Sequence, residues 1–173
     1  MIWRKKMYRE SHGFTMIELM ITAVVFGVLA TLSVPSLQRA YEKAEFRGGE
    51  RLVVSALKKA RSYAISDKDL FGVHINTENR VVTLFQNTAD PGTPAYSSGD
   101  SVYSVDTLPH EFQYLYTTME NSAIVFRPNG SAMTSGYANI YLAGETDGMM
   151  AYFAINILAA TGRVSNYSHF YAW

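Results

Sequence analysis

The side chains able to do acid–base, nucleophilic or metal chemistry are few and scattered. The four histidines, His12, His74, His110 and His169, stand far apart, and none sits in an HExxH or comparable ligand spacing. No GxSxG, P-loop or GxGxxG occurs. The chain has no cysteine, which removes disulfides, zinc–thiolate sites and thiol catalysis together. Asp90, Asp100 and Asp106 offer carboxylates to a calcium ion but lack EF-hand spacing, and read as solvated loop acids. No catalytic residue, metal site or cofactor is expected, and the chain is expected not to be an enzyme. One carboxylate is nevertheless out of place. Glu18 lies near the start of an almost wholly apolar run from Phe14 to Pro35. An acid there either stays hydrated among lipid headgroups or needs a dedicated cation. The run holds no Lys or Arg. The free α-amino group of a newly made N-terminus on a neighbouring subunit would serve.

The segment around Glu18 sets the terms. Residues 1–13, MIWRKKMYRESHG, carry Arg4, Lys5, Lys6 and Arg9 against Glu10. The following run, FTMIELMITAVVFGVLATLSVP, would span roughly 30 Å as a helix, close to the hydrocarbon core of a bilayer. The basic flank keeps the N-terminus cytoplasmic and sends the remainder across. A secretory signal would have a shorter core and a small-x-small site after it, and PSLQRAYEKAEF offers none. Pro35 either ends the helix or kinks a longer one; periodicity resumes after it, which favours continuation. Leu52, Val53, Ala56, Leu57, Ala60, Tyr63 and Ala64 recur at helical spacing, so residues 36–66 read as an amphipathic helix. Gly48-Gly49 is a local break or a close-packing spot.

Beyond Asp67 the pattern shortens to β-type runs. Phe71–Ile75 and Arg80–Gln86 flank the turn Asn76-Thr77-Glu78-Asn79. A turn-rich loop, residues 87–100, leads to strand candidates at Ser101–Leu108, Phe112–Thr118, Ser122–Phe126, Tyr137–Leu142 and Met149–Ile157. Gly162-Arg163-Val164 is a further turn or short strand start, and the tail aromatics read as packing or edge-covering groups. One long helix followed by strands argues an α+β fold, with the helix packed on a mostly antiparallel sheet. Formal net charge is zero, so a generic polyanion-binding body gets no support.

Gly13-Phe14-Thr15-Met16-Ile17-Glu18, after a short basic leader and before the apolar run, resembles the type IV prepilin motif. The resemblance implies cleavage between Gly13 and Phe14 by a prepilin peptidase, N-methylation of Phe14, and Glu18 as the acid that registers subunits during assembly. Phe126-Arg127-Pro128-Asn129-Gly130, then Ile140-Tyr141-Leu142, Ala154-Ile155-Asn156-Ile157 and Thr161-Gly162-Arg163-Val164, are similar to GspH/FimT-type pseudopilins and minor pilins. The family implies a minor filament subunit of a type II secretion pseudopilus or type IV pilus. Its domains would be a leader (1–13), a transmembrane and filament-core helix (14–35), an amphipathic continuation (36–66) and an extracytoplasmic β-rich head (67–173). Its implied partners are other pilin or pseudopilin subunits, the peptidase/methyltransferase, an inner-membrane assembly platform and membrane lipid. Its implied place is the bacterial inner membrane, single-pass, N-terminus cytoplasmic. Some relatives bind DNA through a basic Gly-Arg-x-Arg patch. Here Gly162-Arg163-Val164-Ser165 lacks the second arginine, which leaves Arg163 as the candidate contact, and DNA is not an expected partner. Two other readings stay open: a pilus-tip binding module for DNA uptake or adhesion on the same anchor, and an unprocessed membrane-tethered enzyme that keeps residues 1–13.

Overall fold

The computed structural model describes residues 13–146 and 149–172. Residues up to Ala40 form one unit and those from Tyr41 another. Most of the leader, with His12, lies outside the described residues, as does Trp173. Helix α1 (Met16–Asp67) contributes to both units. Its start is closed by Thr15 and Glu18, and it stops where Lys68 turns to φ 56°, a backbone state that cannot propagate a right-handed helix.

In the first unit every described side chain is exposed, including Phe14, Met16, Ile17, Leu19, Met20 and Ile21. No single straight helix among the described residues is long and apolar enough to cross a membrane. The bent pair Met16–Thr31 and Ser36–Asp67 reaches that length together. The bend falls over the four residues that include Pro35, whose side chain lies outside the described ones.

The second unit is the α+β body. Two four-stranded antiparallel sheets are formed. The first runs in the order β3 (Ser101–Thr107), β2 (Val81–Gln86), β1 (Phe71–Asn76), β5 (Ala123–Phe126). The second runs β4 (Phe112–Thr117), β6 (Tyr137–Thr146), β7 (Met149–Leu158), β8 (Arg163–Ala172). The expected hairpin is present: Phe71 faces Gln86 and Asn76 faces Val81. Asn76 shapes its turn, its Oδ1 accepting from the Glu78 and Asn79 amides at 3.0 and 2.9 Å. Strand β6 runs four residues past its expected end. The tail is no mere cover: with the short expected start at Arg163 it forms β8, which pairs with β7 from Leu158↔Arg163 to Met149↔Ala172.

The core sits between the helix stripe and the sheets. Val53, Ala56, Leu57, Ala60 and Ala64 are buried as their spacing demands. They meet Phe71, Val73 and Ile75 of the first sheet and Ile140, Leu142, Phe153 and Ile155 of the second in one cluster. Tyr63 lies at the rim, its ring against Phe71 and Tyr103. Gly48-Gly49 does not break α1. A Cβ on Gly49 would overlap the Phe112 ring, whereas one on Gly48 would meet nothing, so only the second glycine is a close-packing spot. Phe112 in turn meets Phe46 edge-on at 5.3 Å. A smaller cluster of Phe85, Ala123 and Val125 lies on the opposite face of the first sheet. The loop 87–100 covers it through Tyr96, 5.2 Å from the Phe85 ring.

Candidate functional site

The helix start is the first place to look for chemistry. Thr15 and Glu18 bond reciprocally. The Thr15 amide and hydroxyl donate to Glu18 Oε2 at 3.1 and 3.0 Å, and the Glu18 amide donates to Thr15 Oγ1 at 3.3 Å. This is a capping box: orphan amides of the first turn are satisfied by two side chains three residues apart. Both contacts to the carboxylate use Oε2, and no described group engages Oε1. Glu18 is thus held by Thr15 and keeps an acceptor for a second donor. Charge alone singles out Glu18 and passes over Thr15; the signal that finds it is Thr-x-x-Glu before an apolar run. Gly13 and Phe14 precede the helix in open chain, with Phe14 79% exposed, so the bond between them is accessible.

The other residues picked out in the sequence do not converge. His74 stacks on Tyr96 at 5.3 Å, and burial pushes its pKa below the usual imidazole range. His110 sits 3.2 Å from the Glu111 carboxylate, and His169 stacks on Tyr171. Among the described residues no three His, Asp or Glu side chains gather as a metal group. Asp100 organises its own loop. Its carboxylate accepts from the Thr88, Ala89 and Ser97 amides at 3.0 Å or less. Burial works to raise its pKa, but the three amides and the Ser97 hydroxyl prevail and lower it.

Arg163 does not stand alone, as linear reasoning about the Gly-Arg-x-Arg positions has it. Helix α1 brings Lys58 and Arg61 to the same hollow of 680 Å³ that Arg163 lines. Arg61 is the joint between the two C-terminal motifs. Its Nε donates to the Gly130 carbonyl at 3.1 Å and the Thr161 carbonyl at 3.2 Å. Gly162, at φ 60°, makes room for this: a Cβ there would strike the Gly130 carbonyl. The sequence signal that could have found the cations of α1 is the four- and seven-residue spacing of Arg47, Arg51 and Lys58, which places them on one helix flank.

Comparison with known proteins bears on the same two regions. Residues 8–34 match the model of the prokaryotic N-terminal methylation motif. The type II secretion system core protein G of Vibrio cholerae serotype O1 is 25% identical over 134 residues, covering 76% of this chain and 88% of that protein. The core protein G of Dickeya chrysanthemi is 49% identical over 88 residues, 51% of this chain and 55% of that protein. Among solved structures, the minor pseudopilin EpsH from the type 2 secretion system of Vibrio cholerae aligns with a TM-score of 0.50 at 17% identity, covering 73% of this chain and 95% of that one. The type IV minor pilin FimU of Pseudomonas aeruginosa aligns with a TM-score of 0.52 at 14% identity, covering 72% and 89%. At such identities these two structures speak to fold, which they share with the helix and antiparallel sheets described above. In its methylation motif and its sequence relatives the chain is similar to type IV pilin-like pseudopilins and pilins, and its fold is theirs.

Proposed function

We propose that the chain is a minor structural subunit of a filament, a type II secretion pseudopilus or a type IV pilus, made as a precursor in the bacterial inner membrane. The observation that carries this is the first unit's surface. Thirteen large apolar side chains between Phe14 and Leu37 are more than half exposed or close to it, from Val25 at 50% to Met16 at 88%. A contiguous apolar surface of this kind requires lipid or other apolar helices around it. The methylation motif, residues 8–34, covers all of these but Leu37. The precursor crosses the membrane once with residues 14–35, basic leader in the cytoplasm and the body beyond residue 36 outside it. Prepilin peptidase cuts between Gly13 and Phe14, and Phe14 is N-methylated. Pro35 bends the helix where the span meets its continuation.

Glu18 then acts as the register acid. Its Oε1 receives the Phe14 ammonium of the neighbouring subunit while Oε2 keeps Thr15. In a water-poor layer an unpaired carboxylate is penalised, so the axial offset that pairs it is favoured. Glu18→Gln separates this role from capping, because glutamine still completes a capping box but carries no charge. Both Glu18→Gln and Glu18→Ala are expected to be inserted and cleaved yet depleted from sheared filaments, while Thr15→Ala is incorporated. If Glu18→Gln enters filaments as well as the parent does, the pairing role is wrong. N-terminal sequencing of the membrane-extracted parent decides the cleavage step separately: it should begin at Phe14.

A further inference from the structure

Helix α1 and strand β8 run side by side in opposite directions. Phe170 lies under Lys43 and Arg47, Asn166 bonds to Glu50, and Thr161 bonds to Arg61. Between them is a trough. Two hollows of 680 and 340 Å³ both include Lys58 in their walls. Arg47, Arg51, Arg61 and Arg163 also line it. Glu50 is its one lining acid, and that carboxylate is already bonded to Asn166. Among the described residues no ion pair or hydrogen bond engages the Arg51, Lys58 or Arg163 side chains.

Strand β8 is the outer strand of its sheet, paired only to β7 among the described strands. Its ten residues, RVSNYSHFYA, contain no proline and no lysine, the residues that usually blunt a free edge. Alternate amides and carbonyls therefore lie unpaired along its free edge, next to the side chains that line the trough. A phosphate backbone can answer the cations but donates nothing to the carbonyls. A polypeptide supplies both donors and acceptors, and added strands bind in this way.

We propose that this trough takes an extended acidic segment of a partner protein, added as a fifth strand along β8. The match is set by charge and by the pleat. From Arg47 to Lys58 the helix rises about 16 Å, which is about five residues of strand. Carboxylates at alternate positions then face Arg47, Arg51 and Lys58. The intervening positions come out on the sheet face that carries Tyr167, His169 and Tyr171, and suit apolar or aromatic groups. This goes beyond the filament role and stands whether or not the leader is cut.

The test uses the full chain in nonionic detergent and a fluorescent peptide of about seven residues alternating Glu with Val and Tyr. Its anisotropy is expected to rise on binding and the affinity to weaken with added salt. Arg51→Glu with Lys58→Glu is expected to weaken it by about tenfold or more, as two exposed pairs are turned to repulsions. Arg51→Gln with Lys58→Gln serves if the reversal lowers the melting temperature. The same peptide N-methylated at alternate amides is expected to lose binding even though every carboxylate remains. Equal binding of the N-methylated peptide overturns strand addition. Equal binding to the charge variants overturns the cationic trough. A thymidine oligonucleotide that binds more tightly than the peptide, and is lost in the same variants, assigns the trough to nucleic acid instead. No binding of the peptide at low salt also refutes the proposal.

Discussion

Arg61 offers the sharpest test of how the body is held together. Its Nε spans the gap from the helix to two carbonyls, Gly130 in the turn after β5 and Thr161 in the turn before β8. A hydrogen bond from a charged donor contributes about 1.5–3 kcal/mol when shielded. The Nε has one proton, shared between the part-buried Gly130 bond and the exposed Thr161 bond, so the three-centre bond as a whole is worth about 3 kcal/mol at the top of that range. Arg61→Met keeps the stem and removes both, a loss of about 3 kcal/mol. For a body of this size 1 kcal/mol moves the melting temperature by about 3–4 °C, so the drop should be about 10 °C. Lys59→Met, on the exposed flank of the same helix, is the control and should leave the melting temperature unchanged. Thermal scans of the full chain in detergent, followed by near-ultraviolet circular dichroism of the tyrosines, read the difference. A drop below about 2 °C for Arg61→Met would show that the two turns hold their places without the helix, and the reasoning would fail.

The two adjacent glycines should part company. Gly48→Ala is expected to stabilise the body by about 0.5–1 kcal/mol, whereas Gly49→Ala should cost about 1–3 kcal/mol as its methyl meets Phe112; denaturant midpoints check both. His74 carries a pH signature. Its folded pKa is depressed by burial, so its neutral form stabilises the body fully above about pH 6.5, and that contribution is lost as the pH falls toward the folded value. In His74→Phe, which keeps a ring against Tyr96, the acid-side fall in melting temperature between about pH 7 and pH 5 should be shallower.

Much of this architecture is local and therefore legible. The helix stripe from Val53 to Ala64 follows from spacing alone, and the Phe71–Gln86 hairpin from an asparagine turn between two β-type runs. The tail was harder. Tyr167, Phe170 and Tyr171 could cover an edge or form one, and what decides is the ten-residue partner offered by β7, a non-local fact. The Thr15–Glu18 cap was readable but masked by the stronger oddity of an acid in an apolar run. Arg163 was misweighed for a different reason. Its neighbours Lys58 and Arg61 are about a hundred residues away in sequence, and only the packing of α1 beside β8 makes them neighbours.

The second sheet sorts its aromatics by face. Phe112, Phe153 and Phe170 point to the core, whereas Tyr114, Tyr116, Tyr137, Tyr141, Tyr152, Tyr167 and Tyr171 alternate to the other side. A single hydroxyl distinguishes the two sets. Sliding any strand by one residue would drive phenolic oxygens into a dry interior and turn benzyl rings toward water. At about 1–3 kcal/mol for each stranded hydroxyl, a slip involving several of them exceeds the whole margin by which a domain stays folded. The oxygen atoms thus act as spelling marks that keep the ladder in frame while strands are still finding one another.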